Sequence, residues 1–79
     1  MKVEINLYAT LAEYLPKEVK QAGGMIEVEE GLTVNQLMRK LKVPDDYVKL
    51  VFIDGLHAGK DSVLRDGSRL GVFPPVGGG

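Results

Sequence analysis

Hydrophobic and polar residues alternate along the first segment of the chain. Between residues 3 and 8 every second position is apolar, and these positions are Val3, Ile5 and Leu7. A period of two residues is typical of a β-strand that buries one face. The segment therefore predicts a strand with these three side chains facing the core, and the alternation at residues 25–29 predicts a second strand of the same kind.

A short helical region is predicted after the first strand. Thr10 and Glu13 have the spacing of a capping box, in which an N-cap hydroxyl and a glutamate three residues later each bind a backbone N–H. This spacing predicts a helical turn over residues 11–15, which Pro16 interrupts. We expect the helix to resume over residues 17–21 and to end at the two glycines that follow.

The clearest helical pattern begins at a second capping box, formed by Thr33 and Gln36. Apolar side chains then recur at the spacing i, i+3, i+4 and i+7, at Val34, Leu37, Met38 and Leu41. This spacing places them on one face of an amphipathic helix, which a proline at position 44 ends. We interpret this face as the side turned towards the core rather than as a groove for a partner.

The C-terminal half contains three further predicted strands. Residues 47–53 are almost continuously apolar and rich in β-branched and aromatic side chains, which favours a central strand of the sheet. Asp54-Gly55 is a favoured two-residue hairpin turn and predicts that residues 56–58 return antiparallel. Asp66-Gly67 marks another turn before the last strand, residues 70–73.

Together these elements predict an α+β fold with two layers. One amphipathic helix covers only one face of a small mixed sheet, so the other face stays uncovered. We expect an apolar patch on that face, and the alternative is a partly shielded sheet face; the patch would consist of Val51, Ile53, Leu56 and Val72. Because the chain is long enough for one core only, residues 1–73 are predicted to form one domain, with residues 74–79 as an extended tail.

Composition and charge exclude several classes of function. The chain has 79 residues, with 10 Lys and Arg, 11 Asp and Glu, no cysteine and a formal net charge of −1. Without a basic cluster it lacks the electrostatic footprint of a nucleic-acid-binding protein. Without cysteine it has no disulfide, thiolate nucleophile or cysteine-based metal site. No apolar run has the length of a membrane span, so we expect a cytoplasmic location and no membrane partner.

The strongest candidate for chemistry is the C-terminal carboxylate. The last residues are Pro74, Pro75, Val76, Gly77, Gly78 and Gly79. The prolines favour an extended stalk, and the glycines carry no side chain that would obstruct a narrow tunnel in a partner. The carboxylate of Gly79 is a poor electrophile, but an ATP-using enzyme can activate it as an acyl-adenylate. The alternative is a loose terminus or a cloning remnant.

Other candidate residues give weaker signals. His57 is the only histidine, so a surface position is favoured over a metal ligand or a base. The adjacent carboxylates Asp45-Asp46 and Glu29-Glu30 do not share an inward face, and we interpret them as structural. Gly71, within the last predicted strand, marks either a bulge or a close backbone contact.

Five segments of the chain together resemble one protein family. They are Tyr8-Ala9-Thr10-Leu11, Glu30-Gly31-Leu32-Thr33-Val34, Val51-Phe52-Ile53-Asp54-Gly55, Leu64-Arg65-Asp66-Gly67 and the Pro-Pro-Val-Gly-Gly-Gly ending. In essentially its whole length the chain resembles the MoaD/ThiS family of sulfur carrier proteins, which have a β-grasp, ubiquitin-like fold. The ending is the most specific segment, because it is similar to the Pro-Pro-Val-Ala-Gly-Gly ending of the MoaD branch.

The resemblance implies that the chain carries sulfur and is not an enzyme by itself. It implies that a MoeB-like activating enzyme adenylates Gly79 and that a sulfur donor enzyme supplies the atom for a thiocarboxylate. In the MoaD branch the acceptor is the large subunit of molybdopterin synthase. By the same resemblance Phe73 and residues 74–78 contact these partners. ATP and magnesium are used by the activating enzyme, and this chain binds no cofactor or metal.

Three positions depart from the family pattern. Ser68-Arg69 replaces the acidic pair that usually follows Asp-Gly, and Ala12 stands where a basic residue is frequent. We expect these positions to lie near partner surfaces, where the pattern of charge sets partner choice.

Three functions are therefore compatible with the sequence. The first is a sulfur carrier for molybdopterin synthesis, with thiamine synthesis as a variant; the Pro-Pro-Val approach to the glycines favours the molybdopterin branch. The second is a ubiquitin-like modifier joined through Gly79 to lysines of other proteins. The third is a plain binding module whose tail is incidental. An ATP-dependent change at Gly79, higher-mass conjugates, or indifference to removal of the tail would separate the three.

Overall fold

The computed structural model describes residues 1–75. Within that range the chain forms five strands, two α-helices and two 3-10 turns. The strands are β1 (Lys2–Leu7), β2 (Met25–Glu27), β3 (Leu50–Ile53), β4 (Leu56–Ala58) and β5 (Arg69–Phe73). The helices are α1 (Lys17–Gln21) and α2 (Val34–Lys40), and the 3-10 turns are Ala9–Tyr14 and Asp45–Tyr47.

The strands form one mixed sheet in the order β2-β1-β5-β3-β4. β1 and β5 run parallel in the middle of the sheet, and the other neighbouring pairs are antiparallel. The apolar side of α2 joins one face of the sheet in a single core. The structure therefore has the two-layer α+β architecture that the order of elements predicts.

The core follows the predicted alternation of β1. Val3, Ile5 and Leu7 are buried, and so are Leu70 and Val72 on the neighbouring strand β5. Because β1 and β5 are paired in register, these side chains form adjacent rows on one face of the sheet. The predicted core face of the first strand is confirmed.

The capping box at the start of α2 is present as predicted. The hydroxyl oxygen of Thr33 accepts a hydrogen bond from the backbone N–H of Gln36 at 3.2 Å, and the backbone N–H of Thr33 donates to Gln36 Oε1 at 2.9 Å. The helix ends at Lys40, before the predicted stop at Pro44, because Lys42 takes a left-handed conformation with φ 64°. No helix within residues 1–75 combines the length and apolar character that crossing a membrane would require.

The capping box predicted at Thr10 is wrong. Tyr8 occupies the N-cap position, no side chain caps the turn, and the segment Ala9–Tyr14 is a 3-10 helix. The reason is that the chain turns immediately after β1 through Ala9, whose φ is 52°, so Thr10 already lies inside the turn. The break at Pro16 and the helix after it are confirmed as α1.

All three strands predicted in the C-terminal half are present, but the first of them differs from the prediction in its length and in its place in the sheet. The strand predicted at residues 47–53 is shorter, because Asp45–Tyr47 forms a 3-10 turn and β3 begins at Leu50. β3 is an inner strand, but the middle of the sheet belongs to β5. The hairpin turn is confirmed, since Asp54 and Gly55 both have positive φ, 53° and 82°, as a type I′ turn requires.

Candidate functional site

The root of the tail is held on both sides by the sheet. β5 ends at Phe73, directly before Pro74. The carbonyl of Val72 accepts a hydrogen bond from the backbone N–H of Tyr8 at 3.1 Å, and the carbonyl of Phe73 accepts one from the backbone N–H of Lys49 at 2.9 Å. Proline has no N–H to continue the ladder, so the sheet pairing stops at the residue where the tail begins.

Four rings form a cluster beside this root, on the face of the sheet opposite α2. We call it the aromatic face, and it consists of Tyr8, Phe52, His57 and Phe73. The rings of Tyr8 and Phe73 are stacked, with centroids 4.3 Å apart and planes 9° from parallel. Phe52 meets the rings of Phe73 and His57 edge to face, at centroid distances of 5.8 Å and 5.7 Å. Such arrangements fix ring orientations beyond what burial alone provides.

Gly71 lies beneath the aromatic face and makes a close contact there. It is buried, and it pairs with Phe52 on β3 and with Asn6 on β1. A Cβ atom at this position would lie 3.4 Å from Cε2 of Tyr8. The regular pairing of Gly71 with both neighbouring strands argues against a bulge, and the ring of Tyr8 lies at van der Waals distance from a Cβ at this position.

The aromatic face borders a shallow cavity of about 310 Å³ that we call the sheet groove. Its lining consists of Asn6, Tyr8, Phe52, Gly55, Arg69, Gly71 and Phe73. The groove runs along β5 from the tail root to the hairpin turn between β3 and β4. The groove is a continuous, largely apolar surface on the side of the domain where the tail begins. A partner that binds the tail could therefore also contact the groove.

The prediction of which residues form an apolar patch on the uncovered face is wrong. Val51 and Val72 are buried in the core, with 2% and 0% of their surface exposed, and Ile53 packs against the same core. Leu56 is 73% exposed at the edge of the sheet. The cause is the strand period of two: if Val51 faces the helix, Phe52 must face the open side.

Sequence reasoning therefore missed Tyr8 and Phe52 as residues of the candidate site. A usable signal was present, because both are aromatic and both occupy positions out of phase with the core residues of their strands. Phe73, which was predicted to contact partners, is half-buried on the open face, where Leu50 is its pair on β3. The structure thus brings these aromatic residues together at the tail root.

The three residues that depart from the family pattern have different environments. Ser68 is buried, and its hydroxyl oxygen accepts a hydrogen bond from the backbone N–H of Arg65 at 2.9 Å, so it closes a turn and does not lie on a partner surface as expected. The side chain of Arg69 is 71% exposed at the rim of the sheet groove. Ala12 is half-buried in the first 3-10 turn.

The other titratable residues make local contacts. His57 is exposed, and within residues 1–75 no group of three or more His, Asp and Glu side chains is arranged to hold a metal ion. Asp45 pairs with Lys60 at 3.3 Å, and Glu29 pairs with Lys40 at 2.9 Å. Asp45 joins the second 3-10 turn to the loop after β4, and Glu29 joins the loop after β2 to the end of α2, as their structural interpretation predicted.

The predicted tail residues are only partly within the described range. Pro74 is half-buried, and Pro75 is exposed. Val76, Gly77, Gly78 and Gly79 lie outside the described residues. The assignment of Gly79 as the reactive group and of the residues before it as partner contacts stays a prediction.

Comparison with known proteins identifies the class and then the family. The mixed sheet, the helix α2 packed on one of its faces and the position of the tail root at the end of the middle strand define a β-grasp domain of the ubiquitin-like class. Residues 5–79 match the model of the ThiS family. The chain belongs to the ThiS family. Its family works with enzymes of sulfur transfer.

Solved structures share the fold along nearly the whole chain. A protein described as molybdopterin converting factor, subunit 1, from Pyrococcus furiosus is 26% identical with a TM-score of 0.60, covering 96% of this chain and 99% of that one. The Haloferax volcanii HVO 2177 protein is 24% identical, with a TM-score of 0.70 and coverage of 100% and 87%. Small archaeal modifier protein 1 of H. volcanii is 23% identical, with a TM-score of 0.65 and coverage of 95% and 98%. The comparison with curated proteins found no match.

Proposed function

We propose that this protein carries sulfur for molybdopterin biosynthesis on a thiocarboxylate at Gly79. The observation that carries the proposal is the Pro-Pro-Val-Gly-Gly-Gly ending, attached to the middle strand of a ThiS-family domain. The similarity to the P. furiosus protein described as molybdopterin converting factor, subunit 1, supports the molybdopterin branch. The pterin product then receives its sulfur whether the metal inserted later is molybdenum or tungsten.

The chemistry needs a partner for every bond that changes. A carboxylate oxygen of Gly79 attacks the α-phosphorus of ATP, and pyrophosphate leaves with the electrons of the broken P–O bond. Hydrosulfide delivered by the donor enzyme then attacks the acyl carbon and forms the C–S bond, AMP leaves with the electrons of the broken C–O bond, and loss of the S–H proton gives a terminal thiocarboxylate. ATP and magnesium belong to a MoeB-like activating enzyme, and this chain supplies the acyl group.

The structure supports this role through the tail root. Hydrogen bonds from Tyr8 and Lys49 hold the last two carbonyls of β5, so a partner that grips the domain also fixes where the tail starts. Six residues follow Phe73, and a fully extended chain of that length would span roughly 20 Å. We infer that both the activating enzyme and the large subunit of molybdopterin synthase dock on the aromatic face and accept the tail from there. Half-exposed aromatic side chains are typical of such contact surfaces.

The test is an intact-mass measurement of the purified chain after incubation with ATP, a sulfide source and the activating enzyme of its host. We expect one oxygen to be replaced by one sulfur, and fragmentation to place the change at Gly79. A chain lacking Gly78 and Gly79 is the matched control and should stay unchanged. An unmodified full-length chain beside an active enzyme control would rule out the proposal.

The second candidate is a ubiquitin-like modifier conjugated through Gly79. It is favoured by the same glycine ending, which can form an isopeptide bond after the same adenylation step. The small archaeal modifier protein shares the fold, and the fold alone does not separate a carrier from a modifier. Higher-mass conjugates in an immunoblot of the host, lost when Gly78 and Gly79 are deleted, would support this candidate. Thiamine synthesis as the pathway would instead show itself by a thiamine requirement in a deletion strain.

A plain binding module is the third candidate. It requires that partner binding and the growth of the host remain unchanged when residues 76–79 are removed. Loss of either after truncation would exclude it.

A further inference from the structure

Arg69 presents a charged group at the opposite end of the sheet groove from the tail root. It is the first residue of β5, and Phe73 is the last, so the two lie about 13 Å apart along the strand. Leu70 is fully buried in the core, so Arg69, one position earlier, faces the open side. A partner that covers the groove therefore meets the guanidinium group.

The backbone of Arg69 is fixed at this place. Its N–H donates to Asp54 Oδ1 at 2.9 Å, and the N–H of Asp54 donates to the carbonyl of Arg69 at 2.8 Å. These two bonds anchor the start of β5 to the hairpin turn. The position of the charge relative to the groove is therefore set by the fold.

Within the described residues the guanidinium group of Arg69 has one carboxylate close to it. Nε lies 3.7 Å from Glu4 Oε2, which is too long for a hydrogen bond, and that oxygen accepts one from Asn6 Nδ2 at 2.9 Å instead. Among residues 1–75 the guanidinium group of Arg69 makes no hydrogen bond. Glu4 is therefore an electrostatic neighbour of the group, and residues 1–75 do not use its hydrogen-bond donors.

We propose that Arg69 is a specificity-determining residue that recognises a carboxylate on the activating enzyme. This inference rests on the proposed function, in which that enzyme covers the sheet groove. The planar guanidinium group of an arginine can donate two parallel hydrogen bonds to one carboxylate. Arginine is also enriched among the residues of protein–protein interfaces. The enzyme surface that fits has an apolar projection for the groove and an Asp or Glu about 13 Å from the entrance for the tail. A partner surface with a basic residue at that position would be repelled by the charge of Arg69.

The experiment measures how fast variants bind the enzyme and how fast they are thiocarboxylated. Arg69→Gln removes the charge, and Arg69→Glu reverses it. We expect kcat/KM of Arg69→Glu to fall at least tenfold at about 50 mM salt, through slower association, and the deficit to shrink at about 500 mM salt. kcat should stay within about twofold, because the charge is remote from the reacting carboxylate. Arg69→Lys should be affected less than Arg69→Gln.

Two controls separate recognition from effects on the fold. Arg39→Glu makes the same charge change on the exposed side of α2, away from the groove, and should leave association unchanged. Glu4→Gln removes the neighbour of Arg69 on β1 and should also leave association near the wild-type rate. Thermal unfolding of all variants shows whether any loss comes from unfolding.

The outcomes are distinct. The proposal is overturned if Arg69→Glu and Arg39→Glu associate with the enzyme at the same rate. It is also overturned if Glu4→Gln slows association as much as Arg69→Glu does, because the loss would then come from breaking the pair of Glu4 with Arg69. If the wild-type chain binds the enzyme but is not thiocarboxylated, the proposed function fails while the association rates still decide the role of Arg69. If the wild-type chain does not bind at all, both proposals fail.

Discussion

The ring of Tyr8 lies flat against the ring of Phe73, with centroids 4.3 Å apart. Tyr8 directly follows β1, Phe73 is the last residue of the parallel strand β5, and the backbone N–H of Tyr8 also donates to the carbonyl of Val72. One residue therefore supports the end of the last strand through both its backbone and its side chain. Because the tail starts at the next residue, this stack links the stability of the domain to the position of the candidate functional group.

Replacing Tyr8 with alanine should cost stability, and replacing it with phenylalanine should not. Tyr8→Ala removes the stacked ring, and we expect the free energy of unfolding to fall by about 1 kcal/mol. Tyr8→Phe keeps the ring and should stay within about 0.5 kcal/mol of the wild type. Urea denaturation measures both. Equal values for the two variants would show that the stack contributes nothing.

Alanine at Gly24 should be much more disruptive than alanine at its neighbour Gly23. Both glycines have positive φ, but a Cβ at Gly24 would lie 2.6 Å from the carbonyl oxygen of Ile5, whereas the space at Gly23 is open. The hydrogen bond from Ile5 N–H to the carbonyl of Gly24, 2.7 Å long, prevents the chain from moving away without loss. We expect losses of about 3 kcal/mol or more for Gly24→Ala and about 1 kcal/mol for Gly23→Ala.

The measurement for this pair is again denaturant unfolding, with far-UV circular dichroism to confirm that each variant folds. Similar losses at the two positions would mean that strain in φ, rather than the contact with Ile5, sets the effect.

The two predicted capping boxes differ in the structure and should differ in experiment. Thr33→Ala removes the hydroxyl that accepts from Gln36, so we expect a loss of about 1 kcal/mol. Thr10→Ala is the matched control, because Thr10 is exposed and caps no helix, and its effect should stay within about 0.5 kcal/mol. Thermal unfolding in parallel would decide, and a larger loss at Thr10 would contradict the structure.

Removing residues 76–79 should leave the domain as stable as the full chain. The buried apolar side chains described in the core all lie between Val3 and Val72, and the bonds to the carbonyls of Val72 and Phe73 stay in place. The midpoint of thermal unfolding should therefore change by less than about 3 °C. A larger shift would place residues of the tail among the determinants of the fold and would contradict the predicted division at residue 73.

Stability should decrease in mildly alkaline solution when the Met1 amine is free. The amine donates to the carbonyl of Val28 at 2.7 Å and pairs with Glu27 at 2.9 Å. The hydrogen bond to Glu27 raises the pKa of the amine above its ordinary value of about 8, although partial desolvation acts in the opposite direction. A raised folded-state pKa means that the stabilisation is complete below pH 8 and disappears as the pH rises through the raised value.

The pH effect is measured by denaturant unfolding between pH 7 and about pH 10. Glu27→Gln removes the carboxylate and should flatten the curve in this range. If the wild type and this variant lose stability in parallel, another group is responsible.

Much of the fold follows from local pattern. The strand period at Val3, Ile5 and Leu7, the helical spacing that begins at Val34, and the hairpin at Asp54-Gly55 each depend on neighbours only a few residues away. Such short-range rules need no knowledge of the rest of the chain. The capping box at Thr10 failed because the same four-residue spacing was overridden by the turn at Ala9, which follows directly from the pairing of Tyr8 with β5.

By itself the sequence determined the class of domain, the face that β1 and α2 bury and the glycine ending that marks the candidate function. The tertiary structure alone decided that β5 is the middle strand, that Tyr8 stacks on Phe73, and that Arg69 shares a groove with both. The physical reason is distance along the chain. Tyr8 and Phe73 are 65 residues apart, and only the parallel pairing of β1 with β5 brings their rings into contact. No local period encodes a relationship between residues so far apart.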